Sequence, residues 1–484
     1  MANSAKQKVK KPTAEGGEFL PDSDWIGATV TEEKPTAASR AIFFLLCASP
    51  VFFTLAYGAV DAWALGLLAA GASLIGLLWL LDAWQSGELR CNSSKLQFPI
   101  FGLIVIGAIQ LLPLRDVSTA NSLLNSPANS ALTLDAQATR FFLIQLVSLL
   151  VYLAAALAFV NNQKRLRALT LTIIVFGAAL AAFAIMQSLV SPTAIYGIRE
   201  PSGAYPFGTF VNRHHFGGLM EMTVGLTLGL LYAGAIDKEI RPLQIFAVVV
   251  MGAALLMTTS RGAFLSLLGV LAFLTIAAFF LPHKTDDGEK PRSSNKLALF
   301  GGGAALLLLL FGVVLFLGGG GELARSIGLS GVAQDDVSNG RLHFWTVALQ
   351  IFRDNWFFGV GLDAFANAFT PYDTWNGTYR VERAHNDYLQ ILAEAGIVGF
   401  LCVAAFIVIL FRRGYKILNS TRDRFRRGVC LGSLAGITGV LIHSFFDFPL
   451  RTTSNALVFL TLAALATVAV NYPKLHRTRR STSH

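Results

Sequence analysis

The residues that could do chemistry gather in one short stretch. Arg383-Ala384-His385-Asn386-Asp387-Tyr388-Leu389-Gln390 runs on into Ile391-Leu392-Ala393-Glu394-Ala395-Gly396-Ile397-Val398-Gly399. The stretch joins a long polar connection to a long apolar run, so His385 stands where water meets hydrocarbon. Arg380 and Arg383 precede it and two carboxylates follow. Histidine is the side chain that changes charge closest to neutral pH. Guanidinium forks hold phosphate or carboxylate oxygens bidentately and stay charged when partly desolvated. Asp387, Gln390 and Glu394 are spaced i, i+3, i+7, which places them on one stripe of the helix entering the membrane. Carboxylates at that depth are costly and face a bundle interior or a wet cavity. Asp387-x-x-Gln390 is also a capping-box spacing, which would make Asp387 a cap and His385 an interfacial histidine just outside the helix. Spacing alone does not choose between these readings.

The rest of the chain reads as a membrane frame for that stretch. Of 484 residues, 54% are hydrophobic and only 14% charged, with a mean hydropathy of +0.56. A soluble domain carries about 25% charged residues. The class is an all-α polytopic membrane protein, and the net charge of +10 is read through topology before nucleic acid is considered. Apolar runs long enough to span cover residues 41–60, 62–81, 97–113, 141–160, 168–190, 216–235, 242–259, 262–281, 297–319, 388–411, 428–446 and 455–471. They predict about twelve helices. The two spans around Ser260 are close enough to require a tight hairpin. The chain thus divides into a disordered cytoplasmic tail over 1–40, helices one to nine over 41–319, and a large outward loop over 320–387. Helices ten to twelve over 388–471 and a basic tail over 472–484 complete it. The polar start, with Lys6, Lys8, Lys10 and Lys11, does not read as a cleavable leader. The cysteines (Cys47, Cys91, Cys402, Cys430) lack paired or metal-ligand spacing and read as packing residues.

With both ends inside, 28 of the Lys and Arg residues fall on the cytoplasmic side and 11 outside, in keeping with the positive-inside rule. All thirteen lysines are inside, and the outer set is entirely arginine: 115, 140, 199, 213, 261, 325, 341, 353, 380, 383 and 451. Outer arginines oppose the orientation bias, so part of this set is retained for anion binding, the remainder for anchoring helix ends. Arg213 closes an aromatic-rich stretch, Tyr205-Pro206-Phe207-Gly208-Thr209-Phe210-Val211-Asn212-Arg213-His214-His215. Arg261 sits in the hairpin Thr258-Thr259-Ser260-Arg261-Gly262, and Arg341 opens a segment with apolar residues at 342, 345, 348, 349, 352 and 356. That spacing predicts an amphipathic helix lying on the membrane or roofing a cavity. Gly359-Val360-Gly361 is too short a glycine pattern for a phosphate loop. Adjacent His214 and His215 point in different directions, which favours substrate contact or plain interface over metal. His443 and Asp447, at i and i+4, read as a structural pair at a helix end.

Taken together, these motifs resemble the bacterial O-antigen ligase and polymerase superfamily. His385-Asn386, then Gly396 and Gly399, is similar to its signature. Arg341 with Trp345, then Gly359-Val360-Gly361-Leu362-Asp363-Ala364-Phe365, looks like the lead-in to it. Thr259-Ser260-Arg261-Gly262 resembles the family's arginine hairpin, and His443-Ser444-Phe445-Phe446-Asp447-Phe448 its last outward turn. The likeness covers roughly residues 200–455; before that, only hydrophobic helices match.

The resemblance implies a GT-C-like membrane glycosyltransferase with its site at the periplasmic face of the bacterial inner membrane. Its donor would be a glycan on undecaprenyl diphosphate, its acceptor a hydroxyl of lipid A-core or of another lipid-linked glycan, with inversion and without metal or other cofactor. Surrounding lipids and a chain-length regulator are further candidate partners; nucleic acid is not. On that reading His385 takes the acceptor proton or orients the acceptor. Arg213, Arg261 and Arg341 hold the diphosphate, and Asn386, Asp387, Glu394, Arg383 and His215 support the site or contact substrate. No Asp-x-Asp or His/Asp cluster with ion-ligand spacing stands on the outer side, in line with metal independence. Ligase and polymerase remain open, as does transfer to a protein Ser or Thr. A secondary transporter or flippase is the competing class, suited by Glu394 but opposed by the lack of a repeat between halves.

Overall fold

A computed structural model describes residues 35–115, 130–280, 340–375 and 380–470. These residues are helical, with two isolated β-bridges, Ile195 to Arg199 and Phe207 to Phe210, and no longer strand among them. In chain order the helices are α1 (Ala37–Leu55), α2 (Ala62–Ser86), α3 (Gln97–Gln110), α4 (Ala136–Phe159), α5 (Gln163–Val190) and α6 (Arg213–Tyr232). They continue as α7 (Arg241–Met257), α8 (Arg261–Phe280), α9 (Arg341–Asp354), α10 (Phe365–Phe369), α11 (Asp387–Ser420), α12 (Arg424–His443) and α13 (Thr453–Thr467). Among the described residues seven helices, α1, α2, α4, α5, α8, α11 and α12, are long and apolar enough to cross a membrane, and α3, α7 and α13 are shorter apolar helices. This is the architecture of a polytopic membrane protein. Large apolar side chains such as Leu77, Leu80 and Trp84 on α2 point away from the core, where lipid would cover them.

The expected span over 297–319 lies outside the described residues, as do 1–34, 320–339 and 471–484 of the expected tails and loop. α1 begins at Ala37, inside the stretch expected to be a tail, because Thr36 caps it: its Oγ1 accepts the Ser39 N–H at 2.9 Å. The hairpin around Ser260 is as tight as expected, with Thr259 in the left-handed region at φ 54. Of the cysteines Cys430 is buried, whereas Cys91 is exposed and contributes no packing.

α6 is buried on nearly every side and pairs with α12 through glycine. A Cβ at Gly229 would lie 2.2 Å from Gly432 Cα, and one at Gly225 2.4 Å from Gly436 N. Glycines four residues apart on both helices let the backbones touch, which suits helix association in lipid, where the hydrophobic effect gives no drive. The opposing atoms are backbone and cannot swing away. Gly229→Leu is expected to destabilise the protein by more than the roughly 1–3 kcal/mol of ordinary overpacking, read as reduced accumulation and a lower melting temperature in detergent. This close crossing brings the start of α6 beside the end of α12.

α11 breaks at Gly396, whose φ of 63 and ψ of −165 leave the helix. The Gly359-Val360-Gly361 backbone fills the break: Val360 N–H donates to Ala393 O (3.0 Å), Gly361 N–H to Glu394 O (3.0 Å), and Ile397 N–H to Trp356 O (2.8 Å). A Cβ at Gly359 would meet Glu394 C at 2.3 Å, so the glycine serves close approach to a helix. α9 forms where an amphipathic helix was expected, but with a rotated buried face. Val347, Ala348 and Ile351 pack on Phe365, Phe369 and Ala384, while Leu342, Leu349 and Trp356 are exposed. Both stripes repeat at helical spacing; the partner supplied by α10 decides which is buried.

Candidate functional site

The site begins at the N-terminus of α11. Asn386, not Asp387, is the cap: its Oδ1 accepts the N–H groups of Tyr388 (3.0 Å) and Leu389 (3.1 Å). Its Nδ2 donates to Phe445 O at 3.1 Å. Of the two readings left open by the spacing, the capping box does not form, since Gln390 Oε1 accepts from Ala384 N (2.6 Å), while its Nε2 donates to Glu394 Oε1 (2.6 Å). Asp387 turns to the end of α12, accepting from Ser444 Oγ at 2.8 Å and donating its N–H to Ser444 O at 2.9 Å. Between these anchors His385 adopts φ 50, an uncommon conformation for a residue with a side chain. Its ring is held between Phe344 (centroids 6.0 Å) and Phe448 (4.9 Å).

One carboxylate draws the pieces together. Asp447, in the turn after α12 and 1% exposed, has Oδ1 at 3.3 Å from His385 Nδ1 and Oδ2 at 3.5 Å from Arg341 Nη2. His214 Nδ1 lies 3.8 Å from the same Oδ2 and 2.8 Å from Ser260 Oγ, which also accepts the Ala263 N–H at the start of α8. Burial pushes the Asp447 carboxyl up, but the contact with His385 and the surrounding histidine and guanidinium groups outweigh it. The group is held well below the usual carboxylate range, so its charge persists at any working pH. Arg341 and Arg261 face the same cavity, about 260 Å³, walled by Gly262, Leu265, Leu342, Trp345 and Phe446. Two guanidinium groups on an apolar wall suit an anion attached to a lipid. Of the three arginines expected to bind the donor, the fold brings these two together. Arg213 instead lies over the Tyr205 ring, at 5.0 Å from its centroid, and is not part of the cavity wall.

Residues 246–404 match the family model described as O-antigen ligase. That range is about a third of the chain, and over it the protein resembles the O-antigen ligase family. No curated protein matches the chain. The matched range includes Arg261, Arg341, His385 and Glu394 but stops before Asp447, and it starts after Arg213, His214 and His215.

A second network lies behind the first. Glu394, fully buried, accepts from Arg451 Nη2 and has Arg383 Nη1 3.8 Å from its other oxygen. Arg383 also donates to Asp363, which lies 3.5 Å from Arg451 Nη1. These pairs lock the chain just before His385 to the splint at the helix break. Glu394→Ala leaves buried Arg451 short of a charge partner, and about 3–5 kcal/mol of stability is expected to be lost, seen as a lower melting temperature in detergent. His215, also expected to support the site, is buried, with Nδ1 2.7 Å from Thr452 Oγ1 and its ring against Phe448.

Sequence spacing missed Glu221 and the distant partners of His443 and Asp447. His443 makes the helix-end bond expected with Asp447, its carbonyl accepting the Asp447 N–H at 3.0 Å, while its side chain places Nδ1 2.7 Å from Glu221 Oε1 on α6, with both side chains fully buried. Glu221 sits mid-helix in an apolar run, without a local signal. Asp447 carried a signal, since it belongs to the last outward turn, but its partners come from distant segments. His214, His443 and Asp447 also bring ligand-type atoms within 4.8 Å of one another, so the His/Asp cluster absent from local spacing exists in space. Arg341 beside Asp447 and Glu221 on His443 already compensate these groups, an arrangement that favours a charge network over a cation site.

Proposed function

We propose that the protein is an inner-membrane glycosyltransferase that moves a glycan from undecaprenyl diphosphate onto a glycan hydroxyl at the periplasmic face, with inversion at the anomeric carbon. The reading is supported by the O-antigen ligase match over 246–404 and carried by one observation: Asp447 joins His385 on one oxygen to Arg341 on the other. A proton acceptor and an anion holder are thereby coupled through a single buried charge. Asp447 Oδ1, 3.3 Å from His385 Nδ1, favours the proton on that nitrogen, which leaves Nε2 with the lone pair that takes the acceptor's proton. The freed oxygen bonds to the anomeric carbon as the bond from that carbon to the diphosphate breaks. The diphosphate departs with the electron pair, and Arg261 and Arg341 stabilise its charge from the cavity wall. The termini lie in the cytoplasm, and the acceptor is lipid A-core or a second lipid-linked glycan.

The deciding experiment offers purified protein an undecaprenyl diphosphate-linked glycan with and without lipid A-core, reading product by mobility and mass. Multimers of the donor glycan without core identify a polymerase. Transfer only in the presence of core identifies a ligase. Unchanged donor under both conditions overturns the reading.

A further inference from the structure

The first turn of α9 and the segment after α10 build an aromatic group that the transfer chemistry above does not use. His343 Nε2 lies 2.9 Å from Asp373 Oδ1, and its ring stacks on Trp375 with centroids 4.2 Å apart and planes 11° from parallel. The same Asp373 oxygen accepts the backbone N–H of Trp375 at 3.0 Å, so one carboxylate holds the His343 ring and the main chain that carries the indole. A Cβ on Gly340, itself at φ 78, would come within 2.9 Å of the indole, so the backbone approaches the ring closely. Phe344 then bridges outward to the site, with centroids 5.9 Å from Trp375 and 6.0 Å from His385. Neighbouring Phe365 and Phe369 are buried in the core, yet Trp375 remains 44% exposed.

An indole held rigidly at the surface, one ring away from a proton acceptor, has the chemistry of a sugar-stacking platform. One face of a pyranose is a set of C–H bonds, which packs on an aromatic face while the hydroxyls project outward from the contact. We propose that Trp375, backed by His343, is the stacking subsite for the sugar ring of the acceptor and presents one of its hydroxyls to His385. This rests on the transfer reading above and deepens it, since it makes the acceptor a glycan and not a protein hydroxyl.

The test is steady-state transfer by the full-length protein from an undecaprenyl diphosphate-linked glycan, with the glycan acceptor varied. Trp375→Ala is expected to raise the acceptor KM about tenfold or more while kcat and the donor KM move by less than about twofold. Trp375→Tyr, which restores an aromatic face, should recover most of the loss. Trp375→Leu keeps bulk without that face and should behave as the alanine variant, which also provides the readout if alanine does not accumulate. An acceptor KM within about twofold of wild type in Trp375→Leu overturns the proposal. If wild-type protein transfers nothing, the transfer reading has failed, and the platform is judged by calorimetric binding of the free acceptor glycan. Binding that is lost in Trp375→Leu upholds it; binding that is absent in wild type or unchanged in the variant overturns it.

Discussion

Replacing His385 with alanine is expected to lower kcat for glycan transfer by about 10²–10⁴-fold, the usual contribution of a positioned acid–base group, while the protein still accumulates in the membrane. The ring is about a third exposed (32%) and its contacts are Phe344, Phe448 and the Asp447 oxygen, so its loss removes little packing. The backbone is the confounding factor, because φ 50 is unfavourable for alanine. His385→Asn separates the two effects, since asparagine tolerates the left-handed region yet supplies no base. Both variants should be equally inactive. Asp447→Asn keeps the shape and removes the charge that orients His385, so its loss should fall mainly on kcat. The double variant should be hardly worse than His385→Ala alone, because residues that act as a unit are not additive. Product of near-normal length and amount from His385→Asn would remove His385 from the mechanism.

How much of this was legible in the residues follows from which forces act locally. Lipid imposes a length and a composition on each span, so helices such as α4 and α5 are readable one at a time. The cap of α11 stays open in the sequence because Asn386 and Asp387 are both good caps; Ser444, at the end of α12, draws Asp387 away. The exposed and buried stripes of α9 share one period, and only α10 distinguishes them. His385 and the arginines of the hairpin and of α9 could be singled out because each lies at a polar boundary of an apolar run. Asp447 could be seen as part of a motif, but its role as the common partner of His385 and Arg341 depends on the fold bringing the starts of α9 and α11 to the turn after α12. Glu221 was invisible, since a lone carboxylate among apolar residues reads as an exception until His443 is found beside it. The aromatic group of His343, Phe344 and Trp375 was likewise hidden: its members are ordinary residues of two segments until the fold stacks them.

Arg341→Lys and Arg261→Lys are each expected to cut transfer by about 10²–10³-fold, the cost of removing one preorganised donor to developing charge. Charge is conserved in both, so a loss would report the geometry of the guanidinium fork. Arg341 has the greater burden, because its Nη2 approaches Asp447 while the side chain also lines the cavity. A fork can serve the carboxylate with one nitrogen and the departing diphosphate with another, whereas an ammonium is a single point. Arg341→Lys should therefore also loosen the hold of Asp447 on His385 and be at least as damaging as Arg261→Lys. Arg213 offers the contrast. It lies over Tyr205 and outside the cavity wall, so Arg213→Lys should fall well short of those losses. The measurement is transfer rate at saturating acceptor for the three variants, with binding of the lipid-linked donor followed in parallel. Weaker donor binding together with slower transfer in the Arg261 and Arg341 variants places the diphosphate in this cavity. Normal transfer by both would mean that the leaving group is held elsewhere, and the cavity between α8 and α9 would lose its role.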